Sequence, residues 1–157
     1  MYVRYETLLS NVPFYAKHGY GTEKHEPETF RKWLEAGEAP VLPETLHLYQ
    51  NILELGISPV LLTERFQDLE EVTLKNLKAA GFPYWRHVIT SIYVYAGKRR
   101  PTGSSKKIAN FKSKERKNLE RNGHTIIGNI GDQWADLAKD SPGRRTFKLP
   151  NPLYYKI

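Results

Sequence analysis

The sequence lacks several features that point to common classes of protein. None of its 157 residues is cysteine, which excludes disulfides, thiol catalysis and thiolate metal sites. No apolar run approaches the ~18 residues of a membrane-spanning helix, and the mean hydropathy is -0.59. The first residues include Arg4 and Glu6 and do not have the pattern of a signal peptide. We therefore expect no membrane association, and we expect the chain as written to stay in the compartment where it is made.

The chain does contain enough apolar and aromatic surface for one core. Apolar residues make up 39% of it and aromatic residues 12%, which predicts a single domain over residues 1–157. The net charge of +7 is local, because residues 98–121 hold ten Lys/Arg and two Glu. That segment alone carries +8, and the rest of the chain is close to neutral. The basicity is therefore one patch rather than a property of the whole surface.

Helical periodicity alternates with short apolar runs along much of the chain. Terminal glycines and a Ser113 cap mark helix boundaries, and Val- and Ile-rich runs mark strands. The expected elements, in order, are helix 44–55, strand 57–62, helix 68–80, strand 87–95, helix 114–122 and strand 125–127. Because helices separate consecutive strands, the fold class is α/β, a three-layer Rossmann-like parallel sheet with helices on both faces. Ligands bind such sheets at the carboxyl ends of the strands.

Two polar segments interrupt this pattern. Residues 11–43 are rich in Pro and Gly apart from the apolar spacing of Phe30, Trp33 and Leu34, which predicts a loop or flap insertion with one short helix. Residues 97–110 are rich in Gly, Pro, Ser and Lys, and we expect a basic, flexible loop there.

The stretch GNIGDQWADL, residues 128–137, carries the clearest chemical signal. Gly128 and Gly131 are expected to let the backbone turn sharply after a strand. Asp132 and Asp136, four residues apart, are expected to face the same side of a starting helix. Two carboxylates at a strand end suit Mg²⁺, which prefers oxygen ligands. The alternative is that Asp132 caps the helix and Asp136 is a solvated surface residue.

Single residues elsewhere give weaker signals. Thr63 ends an apolar strand, where a hydroxyl can hold a phosphate oxygen, although a cap or turn role is the commoner explanation. Lys112 lies at the expected start of a helix and could neutralise a phosphate, while most of the neighbouring lysines should be solvated. The five histidines show no spacing of metal ligands or of a nucleophile and its base, so none is assigned to catalysis.

These signals gain force from their order along the chain. The sequence has Glu6-Thr7, then Thr63, Lys112 and the Gly131–Asp136 stretch, in the order of the phosphatase motifs of the haloacid dehalogenase superfamily. The longer stretches YETLLSNVPFYAKHGYG, LLTER, KSKERKNLERNGHTIIGNIGDQWADL and RTFKLPNPLYY resemble the plant class B acid phosphatases and the related vegetative storage proteins. The resemblance covers nearly the whole chain but lacks the long stretch that such proteins carry before their first motif.

The resemblance implies a phosphate monoesterase that uses an aspartyl-phosphate intermediate and Mg²⁺. The family motif D-x-D-x-T aligns on Thr7, which puts Val3 at the nucleophile position and Tyr5 at the acid/base position. Valine has no nucleophilic atom, and a tyrosine with a pKa near ~10 is a poor acid at the low pH where these enzymes work. We therefore expect impaired or absent turnover.

The other positions of the family site are retained. By resemblance, Thr63 and Lys112 would bind a phosphate monoester or inorganic phosphate, and Asp132 and Asp136 would bind Mg²⁺, weakly in the absence of the nucleophilic carboxylate. The family's central first strand could only be Tyr2–Tyr5. A strand this short predicts a recognisable fold of reduced stability.

Two other functions stay open. The first is a non-catalytic role of the vegetative storage type. The second is anion or nucleic-acid binding through residues 98–121, although nucleic acid is disfavoured because only Phe111 could stack on a base there. Family members are secretory or vacuolar, which the chain itself does not indicate, and the sequence leaves open whether the protein is a homodimer.

Overall fold

The computed structural model describes residues 5–22, 27–91 and 105–153. The α-helices and strands, in chain order, are α1 (Tyr5–Leu8), α2 (Val12–Lys17), α3 (Pro27–Ala36), α4 (Pro43–Glu54), β1 (Val60–Phe66), α5 (Glu70–Ala79), β2 (His87–Ser91), α6 (Ser105–Arg121), β3 (Asn129–Gly131), α7 (Trp134–Leu137) and β4 (Thr146–Lys148). Short 3-10 turns cover Gly19–Gly21 and Gln67–Leu69. No helix in the described part is long and apolar enough to cross a membrane.

The strands pair in parallel, as the alternation of helices and strands predicted. β1 pairs with β2 in the register Val60↔His87, and α5 makes the crossover between them. β3 pairs with β4 in the register Asn129↔Thr146, with α7 between them. In the described ranges these are two separate two-stranded sheets. The α/β fold class with parallel strands is confirmed.

The main core is an apolar cluster that joins the start of the chain to the β1–α5 unit. Its buried members are Leu8, Leu9, Ala39, Tyr49, Leu61, Leu77 and Phe82. Burying side chains of this size contributes about 1.5–3 kcal/mol each. A smaller cluster around Leu62 and Leu119 packs α6 against the other face of β1. Because successive residues of a strand point to opposite faces, Leu61 and Leu62 serve the two clusters separately.

The 11–43 insertion leaves and rejoins the core at one point. Leu9 and Val41 form an antiparallel bridge, and the amides of Ser10 and Leu42 donate to the carbonyls of Pro40 and Leu8, both at 2.8 Å. Within the insertion, Phe14 packs against Phe30, with ring centroids 5.0 Å apart. The insertion contains two α-helices, α2 and α3, where the sequence predicted a loop and one short helix.

The two central helices were predicted closely, but α6 was not. The expected helices 44–55 and 68–80 correspond to α4 and α5. Helix α6 covers Ser105–Arg121, whereas the sequence predicted a helix over 114–122 capped by Ser113. Residues 105–110 are therefore helical, and the predicted loop over 97–110 is wrong for that part. Residues 106–110, KKIAN, contain good helix formers, and Ala109 faces the interior at 5% exposure. Residues 97–104 lie outside the described part.

Ser113 is therefore not a helix cap. It is a buried residue inside α6, and its hydroxyl donates to the Asp140 carbonyl at 3.1 Å. Tyr5 begins the short helix α1, and the rest of the predicted Tyr2–Tyr5 strand lies outside the described residues.

The predicted strand 125–127 is also wrong, because β3 lies further along at Asn129–Gly131. Ile126 joins the smaller core cluster, whereas Ile127 is 41% exposed. Asn129 and Gly131 are poor strand formers, and their pairing with Thr146 and Lys148 overrides that local preference. Of the predicted strand 87–95, β2 covers His87–Ser91, and residues 92–95 lie outside the described ranges.

Candidate functional site

The turn after β3 brings the two predicted acidic residues into the interior. Asp132 is 1% exposed and Asp136 is fully buried. Helix α7 starts only at Trp134, and Gln133 is its N-cap in a capping box with Asp136. The alternative in which Asp132 caps the helix and Asp136 is solvated is therefore wrong. The expectation that both lie at the start of the helix is corrected as well, since Asp132 precedes its cap.

Gly131 is required here by close packing and not by a turn. A Cβ added to Gly131 would lie 2.5 Å from both Cβ and Oδ2 of Asp136. Neither Gly128 nor Gly131 has a positive φ, so the chain turns after β3 without needing the conformational freedom of glycine at either position. Having no side chain at Gly131 is what lets the Asp136 carboxylate lie against the end of β3.

The carboxylate of Asp136 forms a buried ion pair with Lys112. The Lys112 ammonium donates to Asp136 Oδ1 at 2.5 Å, and both side chains are fully buried. The other oxygen, Oδ2, accepts the Gln133 amide at 3.0 Å. Lys112 lies in the middle of α6 and not at its start, because α6 begins earlier than expected. A buried charge persists only when it is paired in this way.

The carboxylate of Asp132 connects three distant parts of the chain. Its Oδ1 accepts the hydroxyl of Thr7 at 2.9 Å. Its Oδ2 accepts the side-chain amides of Asn151 at 2.6 Å and Gln133 at 3.2 Å. These three donors are neutral side chains, and their bonds orient the carboxylate. The contact with Thr7 places the beginning of the chain at the carboxyl end of β3.

A second buried cation, Arg116, supports the loop behind the site. Its guanidinium donates to the carbonyls of Asp136, Ala138, Asp140 and Ser141 at 2.6 to 3.1 Å. The residue is fully buried and lies one helical turn after Lys112 on α6. The sequence analysis did not identify Arg116, although its four-residue spacing from Lys112 was a usable signal. The basic segment 98–121 is thus not one surface patch, because two of its cations face the interior.

Asn129 is another residue that sequence reasoning missed. It is fully buried at the start of β3, and its side-chain amide donates to the Asp136 carbonyl at 3.1 Å. Asn151 was missed as well, because nothing in its local sequence indicates that it reaches Asp132. Asn129 thus holds the backbone of Asp136, and Asn151 holds the carboxylate of Asp132.

Thr63 is the middle residue of β1 and is 3% exposed, so the expectation that it ends the strand is wrong, because β1 continues to Phe66. Its hydroxyl accepts the backbone amide of Arg65 at 3.2 Å. Burial lowers the pKa of the Arg65 guanidinium to about 8, and Nη1 of that group donates to the Thr73 hydroxyl at 2.8 Å. The structure thus joins Thr7 to Asp132 and Lys112 to Asp136 by direct hydrogen bonds, and Gln133 bonds to both acids. The described bond of Thr63, in contrast, is within its own strand.

Glu6 is the carboxylate next to the aligned acid/base position, Tyr5. It is 8% exposed, and its oxygens accept the Ser10 hydroxyl at 3.0 Å and the Asn11 amide at 2.6 Å. These bonds hold the turn that leads from α1 into α2, which gives Glu6 a local structural role. Val3, the residue at the aligned nucleophile position, lies outside the described residues.

The acids of this site do not form a ready-made cage for a metal ion. Nowhere in ranges 5–22, 27–91 and 105–153 do three or more His, Cys, Asp or Glu residues stand together as a ligand set. Of the two acids, Asp136 is engaged by the Lys112 ammonium, so the donor chemistry fits one direct protein ligand, Asp132, and not two. A Mg²⁺ ion held by one carboxylate would keep most of its waters.

Comparison with known proteins agrees with the motifs. A family model described as HAD superfamily, subfamily IIIB (acid phosphatase) matches residues 6–157. Vegetative storage protein 1 of Arabidopsis thaliana is 54% identical over 151 residues, which are 96% of this chain and 52% of that protein. Acid phosphatase 1 of Solanum lycopersicum is 43% identical over 150 residues, 96% of this chain and 56% of that protein.

The fold has a counterpart among solved structures. The class C acid phosphatase from Bacillus anthracis superposes with a TM-score of 0.71 at 22% identity, covering 98% of this chain and 65% of that one. At this identity the likeness concerns the fold alone. The chain spans about half the length of the curated relatives it matches. The resemblance identified from the sequence motifs is confirmed.

Proposed function

Since the chain belongs to the acid phosphatase family, subfamily IIIB of the HAD superfamily, we propose that it binds phosphate but performs little or no hydrolysis. The contact that carries this proposal is the hydrogen bond from Thr7 to Asp132. It supports aligning the family's first motif on Thr7, because it sets that residue against the acidic turn after β3. Counting back from Thr7 puts Val3 and Tyr5 where the family has its two catalytic carboxylates.

The covalent step of the family cannot run on these two residues. Attack on phosphorus needs a lone pair on the nucleophile, and the Val3 side chain has only carbon and hydrogen. Protonation of the leaving oxygen at acid pH needs a group with a pKa near the working pH, which a tyrosine with a pKa of ~10 does not supply. Loss of one member of such a cooperative set costs several orders of magnitude in rate.

Binding of phosphate rests on groups that the chain keeps. The Asp136 carboxylate and the Gly131 backbone fix the position of the Lys112 ammonium, which would neutralise part of the phosphate charge. A cation held in a buried, low-dielectric position attracts an anion more strongly than a solvated lysine does. The Thr63 hydroxyl, in the middle of β1, would donate to a phosphate oxygen.

The metal ion implied by the family would be held by Asp132. When bound, Mg²⁺ would supply positive charge that shields the phosphate oxygens. In this chain, Thr7, Gln133 and Asn151 orient the carboxylate, and Asp136 acts on the site indirectly by holding Lys112. With one direct carboxylate ligand, the affinity for Mg²⁺ should be weak.

A storage role without phosphate chemistry is the second candidate. It is favoured by the higher identity to the two Arabidopsis proteins named as vegetative storage proteins, 54%, than to the tomato protein named as an acid phosphatase, 43%. In that case the buried ionic site would be kept for folding alone. The two candidates differ in whether the site still binds phosphate.

Restoring the two carboxylates tests the proposal directly. The unmodified chain should hydrolyse a generic aryl phosphate with Mg²⁺ at mildly acid pH no faster than the buffer, whereas Val3→Asp/Tyr5→Asp should gain turnover. Val3→Asn/Tyr5→Asn is the matched control, since it has the same shapes without the nucleophile or the acid. Robust turnover by the unmodified chain would show that the proposal is wrong.

Phosphate binding is measured separately by calorimetry with inorganic phosphate. Lys112→Met should abolish the heat of binding, whereas Lys114→Met, at an exposed lysine on the same helix, should leave it unchanged. An unmodified chain that binds no phosphate, and whose folded double-Asp variant is inert, would support the storage role instead.

A further inference from the structure

A pair of histidines lies outside the site described above. His87 and His124 face each other with their Nε2 atoms 3.2 Å apart. Their ring centroids are 4.9 Å apart and the ring planes meet at 70°. Both residues are half-buried, so the pair is held by its surroundings and still reachable from solvent. The pair could not be recognised from the sequence, because the two residues are 37 positions apart along the chain.

The position of the pair separates it from the phosphatase site. His87 is the first residue of β2 and pairs with Val60, the first residue of β1. His124 follows Gly123 at the carboxyl end of α6, and its amide donates to the Leu119 carbonyl at 3.1 Å. The pair therefore lies at the amino ends of these strands, and Thr63 lies three residues further along β1 than Val60.

The spacing of the two nitrogen atoms fits the chemistry of a metal ion. Two imidazole nitrogens bound to one tetrahedral ion at about 2.0–2.1 Å are separated by about 3.3 Å. The observed 3.2 Å between Nε2 atoms matches this value before any side chain moves. We propose that His87 and His124 form a binding site for a divalent transition metal ion of the kind that imidazole prefers, Zn²⁺ or Cu²⁺.

Binding requires a change of tautomer but no net loss of a proton. A neutral imidazole carries one N–H, so in the hydrogen-bonded pair one Nε2 donates and the other accepts. For both Nε2 atoms to bind metal, the proton of the donor must move to its own Nδ1. The metal ion binds the lone pair of the neutral imidazole.

The remaining ligands would be water. The described residues supply no third His, Cys, Asp or Glu in ligand geometry beside the pair. His124 borders an open cavity of about 400 Å³ that is also lined by Glu120, Thr125 and Ser141. The cavity has room for waters beside His124, and both Glu120 and Arg144 line it, whereas His87 does not. Two protein ligands predict a modest affinity and a preference over Mg²⁺, which selects oxygen ligands.

A titration of the full chain with Zn²⁺ at neutral pH, followed by calorimetry, tests the proposal. We expect one saturable ion per chain, and we expect His87→Gln and His124→Gln each to weaken binding by at least about 10-fold. His47→Gln is the matched control, since His47 is solvent-exposed on α4 and should not contribute. Absence of saturable binding, or equal loss in the His47 control, would overturn the proposal.

A spectroscopic measurement on the unmodified chain keeps the test independent of whether the variants fold. Electron paramagnetic resonance of the chain loaded with one equivalent of Cu²⁺ should show coupling to two imidazole nitrogens. Coupling to no imidazole nitrogen, or to only one, would refute the pair as the site. Excess Mg²⁺ should leave the signal unchanged, and its displacement by Mg²⁺ would equally contradict a site built from nitrogen ligands.

Discussion

Gly131→Ala is the substitution that most directly tests how the acidic turn is packed. The added Cβ would lie 2.5 Å from Cβ and Oδ2 of Asp136 and 2.8 Å from its Cγ. Ordinary contacts between such atoms are about 3.5–4.0 Å, so the two segments must separate by about 1 Å. Asp136 cannot move freely, because its carboxylate pairs with the Lys112 ammonium and its backbone carbonyl accepts a hydrogen bond from the Arg116 guanidinium.

The cost has two parts. Forcing a methyl group into a packed interior costs about 1–3 kcal/mol. Displacing Asp136 also weakens hydrogen bonds to charged groups, each worth about 1.5–3 kcal/mol. Partial relief of the contact should leave a loss of about 3 kcal/mol in the free energy of unfolding. In a domain of this size that corresponds to a fall in the melting temperature of about 6–12 °C.

Urea denaturation followed by circular dichroism measures this loss, and Gly128→Ala is the matched control. A Cβ at Gly128 meets only the Phe147 ring, at 3.8 Å, and the backbone there has no positive φ. The control should therefore change stability by less than about 0.5 kcal/mol. The reasoning would be refuted if Gly131→Ala were as stable as the control, or if both variants lost the same amount.

Three further substitutions probe the buried polar groups. Lys112→Met leaves the Asp136 carboxylate without its cation and should lower the free energy of unfolding by about 3–5 kcal/mol in urea denaturation. A loss below about 1 kcal/mol, the usual size for a surface pair, would contradict a buried pair. Arg116→Lys keeps the charge but loses the planar fork that reaches four carbonyls, so it should cost about 2–4 kcal/mol, and stability equal to wild type would contradict that role. Tyr49→Phe removes a hydroxyl that donates to the Tyr84 carbonyl at 2.7 Å and accepts its amide at 2.8 Å, at a cost of about 1–2 kcal/mol at neutral pH. Burial raises the pKa of the Tyr49 hydroxyl in the folded chain, so the wild type should lose stability as the pH rises above ~10, where the unfolded tyrosine ionises. Tyr49→Phe has no such hydroxyl and should not show this loss. Parallel profiles of stability against pH for the two proteins would contradict the buried hydroxyl.

Much of the architecture could be predicted from the spacing of apolar residues and from the prolines and glycines at helix ends. Proline at the start and Gly56 after the end defined α4, and the apolar spacing before Gly81 defined α5. These signals are local, so they can be recognised without knowledge of the fold. The failures were α6, whose first turns look like a polar loop, and β3, whose residues have low strand propensity and are held by pairing with β4.

For the candidate site, too, the sequence indicated some features and not others. The motif G-D-x-x-x-D drew attention to Asp132 and Asp136, and the order of motifs drew attention to Thr63 and Lys112. Whether an acid is a solvated surface group or a buried partner depends on what covers it, and that could not be read from its neighbours in sequence.

The sequence by itself determined the family, the α/β class and the absence of carboxylates at positions Val3 and Tyr5, because motifs, periodicity and residue identity are properties of the linear chain. The tertiary structure decided which charges meet. It paired Lys112 with Asp136, set Thr7 against Asp132 and brought His87 to His124. Each of these contacts joins residues far apart in the chain, and their geometry exists only once helices and strands have packed around them.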